Sequence, residues 1–199
     1  MTTVEEIYLE RTAQAAAKAH ADTNHFYDGN LPYGFHLKLS GNVGKEFKHL
    51  LNRGHKSELI DSGYEDIESI GLGWEAIVRV AICWHDAIED ARLTYNDLKK
   101  IIGKKAADIV YAVTNNKGLN RNERADDKYY AGIVSTQGAT YVKLCDRIAN
   151  IRFGILTGSG MVDMYRKEYN NFAKKLNYSD DHELKEMFDC LKALLGIVK

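Results

Sequence analysis

The segment ICWHDAIEDARLTYNDL (residues 82–98) ends an apolar run on His85 and Asp86 and adds Glu89 and Asp90 one helical turn later. Imidazole and carboxylate groups beside a core are costly to desolvate unless they bind a metal or take part in acid–base chemistry. A second segment, YVKLCDRIANIRFG (141–154), spaces Val142, Cys145, Ala149 and Phe153 along one helical face, with Asp146 beside that stripe and Asn150 one turn further on the same side. Alone, Asp146 reads as a surface residue or half of a helix–helix ion pair. Beside His85 and Asp86 it completes a nitrogen and carboxylate set suited to a divalent transition ion. A fourth donor is needed, and His36, in the helix that LPYGFH introduces, is the best candidate. The remaining histidines read as surface groups. His49 and His55 lie in or beside a polar stretch, His20 and His25 flank a turn, and His182 is near the C-terminus.

The elements that must position these residues are helical. Hydrophobic periodicity near 3.6 dominates, with no sustained strand-type alternation. Residues 4–20 place Val4, Ile7, Tyr8, Ala15 and Ala19 near one face, the turn YDGNLPYG follows, and a helix opens near Tyr33 and carries His36, Leu39, Val43 and Phe47. Residues 74–89 are apolar on more than one side, as a central bundle helix should be. Thr94 with Asp97 predicts a capping box for a helix over 95–102, which Gly103 stops before KKAADIVYAV starts the next. Further helices are expected over 121–135, 139–153, 161–176 and 181–197, the last filling the C-terminal segment 177–199, with GILTGSG as a break. Residues 51–73, polar and punctuated by glycine, predict a loop or short-helix excursion over the surface. The expectation is an all-α, single-domain helical bundle spanning 1–199.

Composition narrows the function. At 199 residues with 45% hydrophobic and 28% charged side chains, the chain can build one sizeable core. A net charge of -1 gives no reason to expect nucleic acid or an anionic membrane as partner. No apolar run approaches the ~18 residues of a membrane span. The N-terminal stretch MTTVEEIYLERTAQ is charged and lacks the apolar centre of a secretory signal. Cys83, Cys145 and Cys190 are odd in number, far apart and set in apolar patterns, so they read as reduced core thiols of a cytoplasmic protein.

The order His, His-Asp, distant Asp is the signature of the HD-domain metal-dependent phosphohydrolases, and three blocks resemble the hydrolase domain of RelA/SpoT-type enzymes, above all the small alarmone hydrolases. HDAIEDARLTYNDL resembles that family's HD-x-x-ED pattern with its Thr-led helix. IIGKKAADIVYAVTNNKG and YVKLCDRIANIR resemble its two following blocks, and Asp146 comes 60 residues after Asp86, about the family's interval. The resemblance implies metal ligands at His36, His85, Asp86 and Asp146, around Mn²⁺, with Glu89 and Asp90 as the acidic pair that positions or deprotonates the attacking water. Asn150 matches the Asn that contacts the nucleotide sugar, and Tyr165 falls where the family places an aromatic near the base. Lys143 and Arg147 (with Arg152 an alternative to Arg147) sit where phosphate contact is expected, and Lys117, Arg121 and Arg124 resemble a basic loop facing the diphosphates. The implied reaction is removal of the 3′-pyrophosphate from (p)ppGpp. Leu37 stands where the family has Pro, and HADTNHFYDG offers Asn24 and His25 where it has a basic pair near the nucleobase. That substitution leaves two other readings open: an HD-type phosphatase for a nucleoside monophosphate or NADPH, and a non-catalytic nucleotide sensor.

Overall fold

The centre of the molecule is α3 (Trp74–Trp84), whose Ala76, Ile77, Val78, Val80, Ala81, Ile82 and Trp84 are all buried. A helix apolar on most sides must be surrounded, and α3 packs against α1 (Val4–Asp22), α2 (Gly34–Glu46), α6 (Lys104–Val113) and α9 (Ala139–Thr157). The computed structural model describes residues 2–51, 58–64, 67–115 and 120–197. Within them α9 is the second hub, touching α2, α3 and α6, then α8 (Asp127–Ser135), α10 (Met161–Lys175) and α11 (Lys185–Leu194). The three elements that carry the sequence's candidate ligands therefore meet in the core.

Local chemistry sets the helix starts. Thr3 forms a reciprocal capping box with Glu6 on α1, and Thr94 does the same with Asp97 on α5 (Tyr95–Ile102), as the sequence predicts. Gly103, at φ +80°, ends α5 and begins α6; a Cβ there would come within 2.6 Å of Ile60 Cγ2. Val4 departs from expectation, being 55% exposed while Tyr8 is fully buried.

The surface excursion expected at 51–73 is different in kind. After a 3₁₀ turn at Lys48–Leu51, residues Glu58–Tyr64 (β3) pair antiparallel with Ile67–Leu72 (β4). Ile60 faces Ile70 across the ladder, and both are buried with Leu72, while Leu59 points outward. Each buried side chain of this size contributes about 1.5–3 kcal/mol, enough to fasten the hairpin over α5 and α1. The fold is thus mostly helical with this hairpin and a smaller one, Phe26–Tyr27 (β1) with Leu31–Pro32 (β2), at the turn before α2.

Other boundaries shift for local reasons. The helix expected over 74–89 stops at Trp84, turns at His85 and Asp86, and resumes as α4 (Ala87–Asp90). The one expected over 121–135 divides into α7 (Arg121–Arg124) and α8, because the Asp126 side chain caps the Tyr129 amide and starts a new helix. Helix α9 runs through Gly154 to Thr157 and ends on Gly158 in the left-handed region. The C-terminal helix is shorter than 181–197, covering Lys185–Leu194.

Candidate metal centre

Helix α2 carries His36 in its first turn, the end of α3 supplies His85 and Asp86, and the middle of α9 supplies Asp146. Their donor atoms converge. His36 Nε2 and His85 Nε2 are 3.2 Å apart. Asp146 Oδ1 lies 3.4 Å from His36 Nε2 and 3.8 Å from His85 Nε2. Asp86 Oδ2 lies 2.9 Å from His85 Nε2 and 3.6 Å from His36 Nε2. His36, His85 and Asp146 each bring one ligand atom within 4.8 Å of the others, with Asp86 alongside. The break after Trp84 makes this possible, because it swings Asp86 out of the helical path at φ −101°, ψ 4°.

The chemistry of the donors fits a divalent cation. His85 Nδ1 is 2.7 Å from the Ile82 carbonyl, so the neutral ring donates its Nδ1–H there and turns the Nε2 lone pair into the cluster. Burial lowers the His85 pKa, but the Asp86 and Asp146 carboxylates outweigh it and hold the ring well above its usual range. Burial raises Asp146, yet Lys143 and the two histidines hold its carboxyl well below the usual carboxylate range. Two ionised carboxylates thus stabilise a positive charge at one buried point. A dication held by these residues would take that place with release of a proton.

The cluster forms the floor of a cavity of about 480 Å³. Asp90 lines its wall, as do Asn115, Arg124, Lys143, Arg147, Asn150, Tyr165 and Lys175. Arg147 is held rigidly: its guanidinium carbon sits 4.4 Å from the centre of the Tyr165 ring and 4.2 Å from that of Phe172, and Nη1 is 3.4 Å from Glu168. Lys143 Nζ donates to Asp146 Oδ2 at 3.1 Å, and Asn150 Nδ2 donates to Asp146 Oδ1 at 2.5 Å. Burial and the Asp86 charge push the Asp90 carboxyl up to about 7.

Comparison with known proteins bears on this arrangement. A solved structure described as a metazoan ortholog of SpoT that hydrolyses ppGpp superposes with a TM-score of 0.64, covering 100% of this chain and 99% of that one at 19% identity. The two chains share one fold. No protein-family model matches the sequence. Among curated proteins, the guanosine-3′,5′-bis(diphosphate) 3′-pyrophosphohydrolase MESH1 of Drosophila melanogaster is 30% identical over 100 residues, which is 50% of this chain and 56% of that protein. The Danio rerio protein of the same name is 28% identical over 112 residues, 52% of this chain and 62% of the relative. The Mus musculus one is 27% identical over 123 residues, 58% and 69%. The matched region spans less than two thirds of the first two relatives.

Within the SpoT-ortholog fold the expected site residues separate into groups. His36, Asp86, Asp90, Lys143, Asp146, Arg147, Asn150, Tyr165 and Arg124 line the cavity, and His85 lies against its floor. Glu89 lies beside the cavity without lining it: its carboxylate accepts from the amide of the lining residue Asn115 at 2.6 Å and from Asn115 Nδ2 at 3.2 Å. Asp90, the other member of the acidic pair, lines the cavity directly. Arg152 also leaves the site, forming two hydrogen bonds to Glu46 at 2.6 and 2.9 Å. Lys117 and His55 fall outside the described residues, as does the Arg121 side chain. His49 pairs with Glu186 at the surface, as expected.

The histidines assigned to the turn after α1 require a correction. His20 is fully buried, and its ring stacks on Tyr33 at 4.3 Å between centroids. His25 stacks on Tyr33 at 4.1 Å, and its Nδ1 lies 3.1 Å from His20 Nδ1 and 3.8 Å from Asp90 Oδ2. Tyr33 donates its hydroxyl hydrogen bond to Asp86 Oδ2. Tyr27 donates to Asn150 Oδ1 at 2.8 Å and stacks on His36. Sequence reasoning set His20 and His25 aside as surface groups flanking a turn and gave Tyr27 and Tyr33 no role in the site. The available signal was the density of His and Tyr between residues 20 and 36.

Proposed function

We propose that this protein is a cytoplasmic, metal-dependent hydrolase that removes the 3′-pyrophosphate from (p)ppGpp. In this reading Mn²⁺ is held by His36, His85, Asp86 and Asp146, and residues 1–199 form one catalytic domain. The observation that supports it most is the convergence of two imidazoles and two carboxylates at the floor of a cavity whose wall carries Asp90 and several cations. The curated relatives carry that activity in their names.

When bound, the dication supplies a Lewis acid that acidifies water and offsets charge on phosphoryl oxygens. Asp90, on the cavity wall beside the donor cluster, is the carboxylate placed to take the proton from the attacking water. The water oxygen bonds to the phosphorus attached to the 3′-oxygen, that O–P bond breaks, and the 3′-oxygen is protonated. The products are pyrophosphate and GDP, or GTP from pppGpp. Glu89 supports this by anchoring Asn115, a cavity residue, to the end of α4. Arg147, fixed between two rings, offers charge to the diphosphates together with Lys143, Arg124 and the basic residues Lys117 and Arg121. Asn150 meets the sugar and Tyr165 the base.

A second reading, an HD-type phosphatase for NADPH or a nucleoside monophosphate, draws on His25. It packs on Tyr33 beside Asp90 where a basic pair for a guanine is otherwise expected. Hydrolysis of ppGpp, pppGpp, NADPH and nucleoside monophosphates with Mn²⁺ and after chelation separates the readings. Preferred, chelator-sensitive turnover of ppGpp supports the first. Preferred turnover of NADPH or a monophosphate replaces it with the second.

A further inference from the structure

Asp86 differs from the other three donors in how it is held. His36 and Asp146 project from the body of helices α2 and α9, and His85 is tied to the Ile82 carbonyl. Asp86 sits in the turn between α3 and α4, and its side chain makes no capping hydrogen bond to the helix that follows. It is also the donor that falls outside the tight His36–His85–Asp146 set. Backbone geometry alone leaves its carboxylate free to rotate.

The Tyr33 hydroxyl supplies the missing constraint. It donates to Asp86 Oδ2, the same oxygen that faces both histidine nitrogens. The Tyr33 ring cannot easily move. His20 and His25 lie side by side on it, at 4.3 and 4.1 Å, and Tyr27 meets it edge-on at 6.1 Å. The neighbouring Gly34 brings α2 so close to α1 that a Cβ there would approach Ala17 Cβ to 2.8 Å. The start of α2 is therefore pinned against α1, and the hydroxyl with it.

We propose that Tyr33 is a positioning residue: held by the His20–His25 stack, it sets the Asp86 carboxylate in the orientation that receives a divalent cation. This rests on the metal-centre reading above. An outer-shell hydrogen bond of this kind is worth about 10- to 100-fold in metal affinity. Tyr33→Phe removes one oxygen and keeps the ring, so the stack and the fold persist.

The test is calorimetric titration of the metal-free protein with Mn²⁺, comparing wild type, Tyr33→Phe and a control, Tyr141→Phe. Tyr141 also carries a buried hydroxyl, donated to the Gly44 carbonyl at 2.7 Å, but touches none of the four donors. The expected result is a Kd for Mn²⁺ raised by about 10- to 100-fold in Tyr33→Phe and unchanged in Tyr141→Phe. In an Asp86→Asn background the Tyr33 substitution should add little, since its partner is already altered. Equal Kd values in Tyr33→Phe and wild type overturn the inference, as does an equal loss in Tyr141→Phe, which marks general loosening. Wild-type protein that takes up no Mn²⁺ overturns both this inference and the metal-centre reading. Uptake of Mn²⁺ without turnover of ppGpp overturns the proposed substrate and leaves Tyr33 standing.

Discussion

Replacing His20 with Phe should remove a specific part of the protein's acid sensitivity. The His20 ring is fully buried and its Nε2 has no hydrogen-bond partner among the described residues, so burial lowers its pKa from 6.5 to about 4. Between these values the unfolded chain binds a proton that the folded one does not. The stabilisation is therefore intact above pH 6.5, declines as pH falls, and is gone below about pH 4. One pKa unit corresponds to about 1.4 kcal/mol, so the whole effect is about 3 kcal/mol, of which about 2 kcal/mol is lost by pH 5. Phe keeps the ring on Tyr33 and cannot titrate. In urea unfolding of metal-free protein, wild type should lose about 2 kcal/mol more than His20→Phe between pH 7.5 and pH 5. Groups remote from His20 contribute to both curves and cancel in the comparison, whereas His25, with its Nδ1 3.1 Å from His20 Nδ1, is coupled to the substitution, so its own titration is followed by NMR in both proteins. Parallel curves for the two proteins would refute the reasoning. An NMR titration of the His20 ring measures the same quantity directly, and a midpoint near 6.5 would refute it equally.

Other substitutions test the site by parts. Asp146→Asn should abolish the rise in Tm that Mn²⁺ gives the wild-type protein, seen by thermal unfolding with and without the ion. Asp90→Asn should retain Mn²⁺ by calorimetry and lower kcat by about 100-fold or more, the usual weight of a general base, while Glu89→Gln costs less; the reverse ranking would return the base role to Glu89. Arg147→Met should raise KM for a nucleotide diphosphate, whereas Arg152→Met, whose partner Glu46 is remote from the cavity, should leave turnover unchanged. Gly34→Ala should destabilise by about 1–3 kcal/mol, read by urea unfolding, because the new Cβ meets Ala17 at 2.8 Å.

Much of this arrangement was legible in the residues, for reasons that differ from place to place. The burial of α3 followed from apolar positions too numerous for one face, that of α9 was legible only as one apolar stripe, and the Thr94–Asp97 cap followed from local side-chain chemistry. The four candidate donors came together only in combination: His85 and Asp86 at the end of an apolar run, Asp146 beside a core stripe, and His36 chosen by its place in the helix after LPYG and by the family resemblance. Periodicity failed where structure depends on distant partners. Ile60, Ile70 and Leu72 alternate correctly for a hairpin, but the glycines and charges among them mask a pattern only a few residues long. The turn at His85–Asp86 leaves no breaker residue in the sequence, so the helix expected over 74–89 is interrupted there without a local signal. His20 was read as a turn residue because nothing local marks the approach of Tyr33, thirteen positions later, to its ring.

The most direct test of the central claim is the identity of the products formed from ppGpp. Anion-exchange analysis should find GDP and pyrophosphate in equal amounts with Mn²⁺, and neither after chelation. Release of inorganic phosphate instead, or pyrophosphate release that persists without a divalent ion, would contradict the account.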